Sequence, residues 1–116
     1  MGETTVRFKL YSPLGSAELE ALADTGATYT KIPKATAAKL GLEVKYETPT
    51  ELADGRVITR YLAPAEIEIE GVRRPVLVAI AENEERPLLG YTTLEILGFK
   101  VNPITRKLEK TVAIEY

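Results

Sequence analysis

The chain has 116 residues, a formal net charge of −2 and 45 % hydrophobic residues, which predict one soluble globular domain over residues 1–116. It contains no Cys and no His, so thiol nucleophiles, disulfides, Cys-based metal sites and the usual His general base of Ser and Cys hydrolases are excluded. Its 15 Lys and Arg residues are scattered rather than clustered, and nucleic acid is therefore not expected as a partner.

No targeting or membrane segment is expected. Residues 1–6 have no apolar stretch of the signal-peptide type, and Val6 does not fit the myristoylation pattern. No apolar run approaches the roughly 20 residues that a membrane-spanning helix needs. The sequence therefore predicts a cytoplasmic protein without a membrane partner.

The first part of the chain has the pattern of two β-strands. Apolar and charged residues alternate over residues 6–10, which indicates a half-buried strand. A turn cluster over residues 12–16 follows. A second, apolar strand over residues 19–23 then runs directly into Asp24-Thr25-Gly26.

A helix and a hairpin are predicted next. Pro33 precedes residues 34–40, which suit a short helix with Gly41 as its C-cap. After Pro49 the pattern returns to β-structure, and Asp54-Gly55 is a strong signal for a two-residue hairpin turn. The predicted strands on either side of this turn cover residues 50–53 and 56–62.

The second half of the chain predicts further strands and one more helix. The helix covers about residues 92–97, with Gly98 as its cap, and a charged loop over residues 82–86 precedes it. The predicted strands are residues 66–70, 75–81 and 88–90, with two more short strands within 101–116.

A faint internal repeat is visible. The pattern Leu-Gly-x-x-Val occurs at residues 40–44 and again at residues 97–101. Upstream of each copy an apolar strand reaches a glycine, Gly26 or Gly90, and a short helix follows. Ordinary helix-cap chemistry explains part of this pattern, but the matching order upstream favours a duplicated strand–loop–helix unit.

Asp24-Thr25-Gly26 is the candidate catalytic motif. The tripeptide alone is compatible with an ordinary turn, so the case for a catalytic role rests on the neighbouring residues. An apolar strand delivers it, Gly26 permits a tight backbone, and Ala27 keeps the wall beside Asp24 small. Because the chain has no His, carboxylates must carry the proton transfers if it is a hydrolase.

These features resemble the retropepsin-like aspartic proteases, the single-domain relatives of pepsin. The resemblance runs from Phe8 to about Val101 and rests on residues 22–27, 53–55 and 88–90. It implies a mainly β, single-domain acid-protease fold: a closed β-barrel with two short helices that carries half of a pepsin-like site. Aspartic proteolysis uses two facing carboxylates that share one proton, and this chain has one such motif, so a homodimer is implied.

The resemblance also assigns roles to individual residues. Asp24 would be catalytic, Thr25 and Gly26 would form the active-site loop, and the Thr25 hydroxyl would bond across the dimer axis. The tip of a flap at residues 53–55 would close over the substrate. The residues expected to bind substrate are Gly26, Ala27, Thr28, Ala53, Asp54, Gly55 and Leu89. No cofactor and no metal ion are expected.

Two departures from the retroviral pattern concern how the dimer is held. Retroviral members commonly pair an acid four residues after the catalytic Asp with an Arg after the second-half glycine, but these positions are Thr28 and Tyr91 here. The tail also runs past the family's usual end. In it Val112, Ile114 and Tyr116 alternate with other residues, as in a strand of an interchain sheet or an edge strand within one chain.

The function predicted from the sequence is an aspartic endopeptidase that acts as a homodimer on peptide or protein substrates. The alternative is a non-catalytic or weakly catalytic dimerisation or peptide-binding module with the same fold. A third hypothesis is a carbohydrate-cleaving carboxylate pair. The small size of the chain and its lack of aromatic platforms, with no Trp and only two Phe, count against it.

Overall fold

The computed structural model describes residues 3–116, so the first two residues of the expected 1–116 domain lie outside the described part of the chain. Over these residues the chain forms nine strands and two short helices. The strands are β1 (Thr5–Ser12), β2 (Gly15–Asp24), β3 (Thr30–Pro33), β4 (Tyr46–Glu51), β5 (Val57–Ile69), β6 (Val72–Ala81), β7 (Leu88–Gly90), β8 (Phe99–Val101) and β9 (Leu108–Lys110). The helices are α1 (Lys34–Lys39) and α2 (Tyr91–Leu97). In this part of the chain neither helix is long and apolar enough to cross a membrane.

Seven of the strands form one sheet that closes on itself. Its order is β1-β2-β7-β3-β6-β5-β4, and β1 pairs additionally with β5. The additional pairing closes a ring of six strands and leaves β4 attached to the outside of β5 as an edge strand. Strands β8 and β9 form a separate two-stranded sheet. The predicted mainly β fold, a closed barrel with two short helices, is therefore confirmed.

The alternating pattern of β1 explains why the barrel closes. Val6, Phe8 and Leu10 are 9 %, 2 % and 0 % exposed, so one face of this strand is buried in the core. Leu10 lies opposite Ile67 of β5, which is also fully buried. Removing a side chain of this size from water contributes about 1.5–3 kcal/mol, so the β1–β5 closure is held by apolar burial as well as by backbone hydrogen bonds.

The strands around the hairpin are longer than the sequence predicts. β4 begins at Tyr46 rather than after Pro49, and a proline is tolerated there because β4 is an edge strand. β5 runs unbroken for 13 residues and joins two predicted strands into one. It contains Pro64, which lies between the part of β5 that pairs with β4 and the part that pairs with β1. Pro64 stays in register with Leu77 of β6, and its missing N–H removes no bond to β4 or to β1.

The internal repeat is less regular than the sequence suggests. After Gly26 the chain first forms β3, and α1 follows that strand, whereas α2 begins directly after Gly90. Both helices do end at a left-handed glycine: Gly41 has φ +62°, one residue beyond the C-cap Leu40, and Gly98 is itself the C-cap with φ +82°. The shared unit is therefore strand, helix and glycine, and it does not include the Asp24 loop.

The C-terminal tail forms no strand within this chain. Residues 111–116 follow β9 without regular secondary structure. Val112, Ile114 and Tyr116 are 82 %, 69 % and 111 % exposed. The alternative of an edge strand within one chain is therefore wrong, and the interchain strand stays a prediction.

Candidate active site

Asp24 is the last residue of β2, and the backbone holds its carboxylate. β2 pairs in parallel with β7, so that Asp24 lies opposite Gly90. The chain then turns back, and the N–H of Gly26 donates to Asp24 Oδ1 at 2.9 Å. The N–H of Ala27 donates to the Asp24 carbonyl oxygen at 3.1 Å. A Cβ at Gly26 would lie 3.2 Å from Asp24 Oδ1, so glycine keeps the space beside the carboxylate open.

The active-site loop, residues 24–28, is fixed from behind by the start of α2. The N–H of Tyr91 donates to the Ala27 carbonyl oxygen at 2.8 Å. The N–H and the hydroxyl of Thr92 both donate to the Thr28 carbonyl oxygen, at 3.2 Å and 2.5 Å. The first N–H groups of a helix have no partner inside it, and here the loop carbonyls supply those partners.

A buried pair of hydroxyls joins β3, β7 and α2 beneath the loop. Thr30 Oγ1 donates to Thr93 Oγ1 at 2.7 Å and accepts the N–H of Gly90 at 3.0 Å. Both threonines are 0 % exposed. The backbones approach closely at this point, since a Cβ at Gly90 would lie 2.4 Å from the carbonyl carbon of Tyr29. The glycine that ends Leu-Leu-Gly is therefore required by packing.

A cleft of about 770 Å³, here called the Asp24 cleft, lies between the active-site loop and the β4–β5 hairpin. Five residues that the sequence assigned to the site line it: Asp24, Gly26, Ala27, Thr28 and Ala53. Sequence reasoning missed two cations in this lining, Lys31 and Arg60, and also Leu88. No strand is predicted from the sequence over Thr30–Pro33, so nothing there indicates the side to which Lys31 points.

Other expected site residues lie outside the lining of the Asp24 cleft. Leu89, expected to bind substrate, is 0 % exposed and belongs to the core, because neighbouring residues of a strand face opposite sides; Leu88 faces the cleft instead. Asp54 and Gly55 are exposed at the hairpin tip and do not line the cleft. Thr25 is exposed, and within residues 3–116 its hydroxyl makes no hydrogen bond.

The hairpin tip is a three-residue loop rather than the predicted two-residue turn. The N–H of Leu52 donates to the Arg56 carbonyl oxygen at 2.7 Å, and the N–H of Gly55 donates to the Leu52 carbonyl oxygen at 2.9 Å. Gly55 has φ +88°, as expected when a glycine follows a turn in this kind of loop. The N–H and the guanidinium of Arg56 bind Asp54 and hold the pKa of its carboxyl below the ordinary value. The tip therefore has a defined, hydrogen-bonded shape.

An ionic cluster of Lys31, Arg60 and Glu85, here called the Glu85 cluster, brings two cations into the cleft lining. Arg60 is 9 % exposed and donates to both oxygens of Glu85, at 3.0 Å and 2.5 Å. Lys31 Nζ donates to Glu85 Oε1 at 3.3 Å. The hydrogen bonds from Arg60 are the main cause that lowers the pKa of Glu85 to about 2. With one carboxylate and two cations, the cluster has a net charge of +1.

The acidic residues are not arranged as a metal site in the described part of the chain. Within residues 3–116 no group of three or more His, Cys, Asp or Glu side chains is placed to hold a metal ion.

Comparison with known proteins agrees with this geometry. The model of a protein family described as aspartyl protease matches residues 13–93, which include Asp24, the β4–β5 hairpin and Gly90. A solved structure, "EIAV protease complexed with the inhibitor HBY-793", is similar with a TM-score of 0.67 and 20 % sequence identity, over 87 % of this chain and 93 % of that one. At this identity the likeness shows the fold. No curated protein matches the sequence. Since the family model covers well over half of the chain, the chain belongs to the aspartyl protease family.

Proposed function

We propose that this chain is an aspartic endopeptidase that works as a homodimer, in which Asp24 of both copies activates the water that attacks a peptide bond. The observation that carries the proposal is the placement of Asp24: it ends β2, accepts the Gly26 N–H and lines the cleft below the hairpin. A binding module would need the cleft but would not need a carboxylate held in this way. The cytoplasmic location expected from the sequence stays a prediction.

The reaction requires two carboxylates that share one proton. The ionised carboxylate accepts a proton from water as the water oxygen attacks the carbonyl carbon, and the protonated one donates to the carbonyl oxygen. The resulting tetrahedral diol collapses when the amide nitrogen receives a proton, and the C–N bond breaks. Two carboxylates this close cannot both ionise, which keeps one proton on the pair.

The chain's own backbone prepares Asp24 for this step. The Gly26 N–H fixes Oδ1, and the bonds from Tyr91 and Thr92 to the loop carbonyls hold the loop that carries the carboxylate. A site that is already oriented loses little free energy to reorganisation when charge moves. The β4–β5 hairpin lies across the cleft from Asp24 and would exclude water once a peptide is bound.

The need for a second copy follows from counting the motif. The chain has one Asp-Thr-Gly sequence, so it supplies half of the required pair. Thr25 is exposed, which leaves its hydroxyl available for a bond to the partner copy. The apolar tail residues Val112, Ile114 and Tyr116 are also exposed and would be covered in a dimer.

The direct test replaces the carboxylate by its near-isosteric amide, Asp24→Asn. Cleavage of a mixed peptide library should fall by at least about 100-fold, because general acid–base catalysis typically contributes about 10²–10⁴ in rate. The same change at an exposed loop residue, Glu84→Gln, is the matched control and should leave cleavage unchanged. Circular dichroism should show that both variants are folded.

The outcomes of this experiment distinguish an endopeptidase from a peptide-binding module with the same fold. An Asp24→Asn variant that cleaves at the native rate would refute the catalytic assignment. A native chain that binds peptides and cleaves none of them, under acidic and neutral conditions, would instead support the alternative of a peptide-binding module.

A further inference from the structure

Lys31 faces the Asp24 cleft and is the one charged residue of β3. Its neighbours on β3 are both 0 % exposed: Ile32 belongs to the hydrophobic core, and Thr30 bonds to Thr93 of α2. Because side chains alternate along a strand, Lys31 points to the other side, where it lines the cleft. The two-carboxylate chemistry has no role for this cation, and its ion pair with Glu85 is the one structural contact of its charge within residues 3–116.

The charges of the Glu85 cluster leave Lys31 with unused hydrogen-bonding capacity. Arg60 occupies both oxygens of Glu85, whereas Lys31 reaches only Oε1, at the longer distance of 3.3 Å. Among residues 3–116, Lys31 forms an ion pair with Glu85 alone. An ammonium has three donors, and two of these stay available to a ligand in the cleft.

The other ionisable groups in the lining belong to different parts of the cleft. Asp24 and Tyr29 lie in and beside the active-site loop, and Glu51 is exposed at the end of β4. Within the described residues none of them is ion-paired with Lys31. Glu85 neutralises Arg60, so the cluster presents one net positive charge to the cleft.

The sheet register gives the separation of Lys31 and Asp24 in the barrel wall. Lys31 lies opposite Leu88 on β7, and Leu88 lies opposite Leu22 on β2, two residues before Asp24. Two strand spacings of about 5 Å and an offset of about 7 Å along β2 place the two Cα atoms about 12 Å apart. An extended peptide advances about 3.3 Å per residue, and the long Lys and Glu side chains span part of the separation, so a substrate Glu that meets Lys31 would be two or three residues from the reacting carbonyl. The small side chain of Ala79, opposite Lys31 on β6, leaves room beside it.

We propose that Lys31, held in place by the Arg60–Glu85 pair, is a specificity residue that selects substrates carrying Asp or Glu two or three residues from the cleaved bond. The inference rests on the proposed peptidase function. A substrate carboxylate would form a charge-assisted hydrogen bond with Lys31 Nζ in a partly shielded cleft, and an amide of the same shape would not. The expected preference for Glu over Gln at that position is about tenfold, and it should weaken with added salt.

The test uses a peptide library in which each position within three residues of the cleaved bond is fixed in turn as Glu or Gln. At about pH 6 the Glu side chain is ionised, and products are quantified by mass spectrometry. The native dimer should cleave the Glu peptide about ten times faster at one position, and Lys31→Met should lower this ratio to about one. Lys31→Arg, which keeps the charge, should retain the preference.

Lys34→Met is the matched control, because Lys34 is also ion-paired with the 82–86 loop, through Glu82 at 2.7 Å, but does not line the cleft. It should keep the tenfold ratio.

Equal cleavage of Glu and Gln peptides by the native dimer at every position would overturn the inference but would leave the proposed peptidase function unaffected. If the native dimer cleaves no peptide, the proposed function fails. The same peptides are then tested for binding to the Asp24→Asn chain by fluorescence polarisation. If the Glu peptides bind no more tightly than the Gln peptides in that experiment, the inference is overturned as well.

Discussion

At the scale of single residues, two glycines determine the structure around Asp24 in the candidate active-site loop. Gly26 brings a backbone N–H to Asp24 Oδ1, and Gly90 allows β7 to approach the backbone at Tyr29 and Thr30. Both lie next to Asp24, one along the chain and one across the sheet. The positions where retroviral relatives commonly carry an acid and an Arg are Thr28 and Tyr91, and in this chain backbone bonds between the loop and α2 hold the same region together.

Gly90→Ala should therefore damage both stability and activity. Its Cβ would meet three backbone atoms at 2.4–2.8 Å, and backbone cannot move aside as a flexible side chain can. We expect a loss of about 2–3 kcal/mol in the free energy of unfolding, measured by urea titration at fixed protein concentration. Gly71→Ala is the control: its φ of +82° is unfavourable for Ala but the space around it is open, so about 1 kcal/mol should be lost. Equal losses for the two variants would contradict the close-approach argument.

At the scale of secondary-structure elements, the Glu85 cluster fastens the loop between β6 and β7 to the barrel. Glu85 accepts bonds from Arg60 on β5, from Lys31 on β3 and from the backbone N–H of Glu82. The loop that it holds leads directly into β7 and Gly90. Ordered packing around the active-site loop therefore depends partly on the Arg60–Glu85 ion pair, in which Arg60 is buried and Glu85 is partly exposed. Removing one partner of such a pair leaves the other charge uncompensated.

This cluster predicts how stability changes with pH. The pKa of Glu85 is lowered in the folded chain to about 2, from an ordinary value of 4.5, mainly by hydrogen bonds from Arg60. A lowered carboxyl pKa contributes stability that is present above about pH 4.5 and is lost as the pH falls toward 2, by at most about 3 kcal/mol. Glu85→Gln should therefore be less stable than the native sequence at pH 7, and the difference should shrink below about pH 4.

The measurement is urea unfolding at several pH values in an Asp24→Asn background, which prevents self-cleavage. Glu84→Gln, at the exposed neighbouring position, should follow the native pH curve. A Glu85→Gln curve parallel to the native one between pH 7 and pH 2 would show that the cluster does not make this contribution.

At the scale of the whole molecule, the sequence predicts those strands and helices whose signals lie within a few neighbouring residues. The β1 alternation, the strand that delivers Asp24 and the helix ending at Gly98 all carry their signals within a few neighbouring residues. Barrel closure came from the family resemblance, since the β1–β5 pairing joins residues that are far apart in the sequence.

The predictions that differ from the structure concern features that depend on contacts between residues distant in the sequence. A two-leucine run does not reveal which leucine faces the core, so Leu89 was assigned to the cleft in place of Leu88. The continuity of β5 through Pro64 depends on its passing from one neighbouring strand to another. Lys31 was missed because its significance comes from Arg60 and Glu85, which are distant in the chain.

The proposed dimer is the property of the whole molecule that most needs a test, because half a site per chain would make activity depend on concentration. Val112, Ile114 and Tyr116 are exposed and apolar. They follow a hydrogen bond that ties the tail to the end of α2, from the Thr111 N–H to the Gly98 carbonyl oxygen at 2.8 Å. Replacing all three by Ser leaves β9 and that bond intact. If they are covered in the dimer, the dissociation constant should rise by at least about 100-fold, since burying each such side chain contributes about 1.5–3 kcal/mol.

Sedimentation gives the dimer fraction, and peptide cleavage measured over the same dilution series should follow that fraction. The control replaces the intervening residues, Ala113→Ser with Glu115→Ser, and should leave the dimer unchanged. A dimer unaffected by the triple Ser variant would refute only the role given to the tail. A chain that sediments as a monomer at every concentration, yet cleaves peptides at a rate per chain that does not depend on dilution, would refute the shared site, because one Asp-Thr-Gly motif cannot supply both carboxylates.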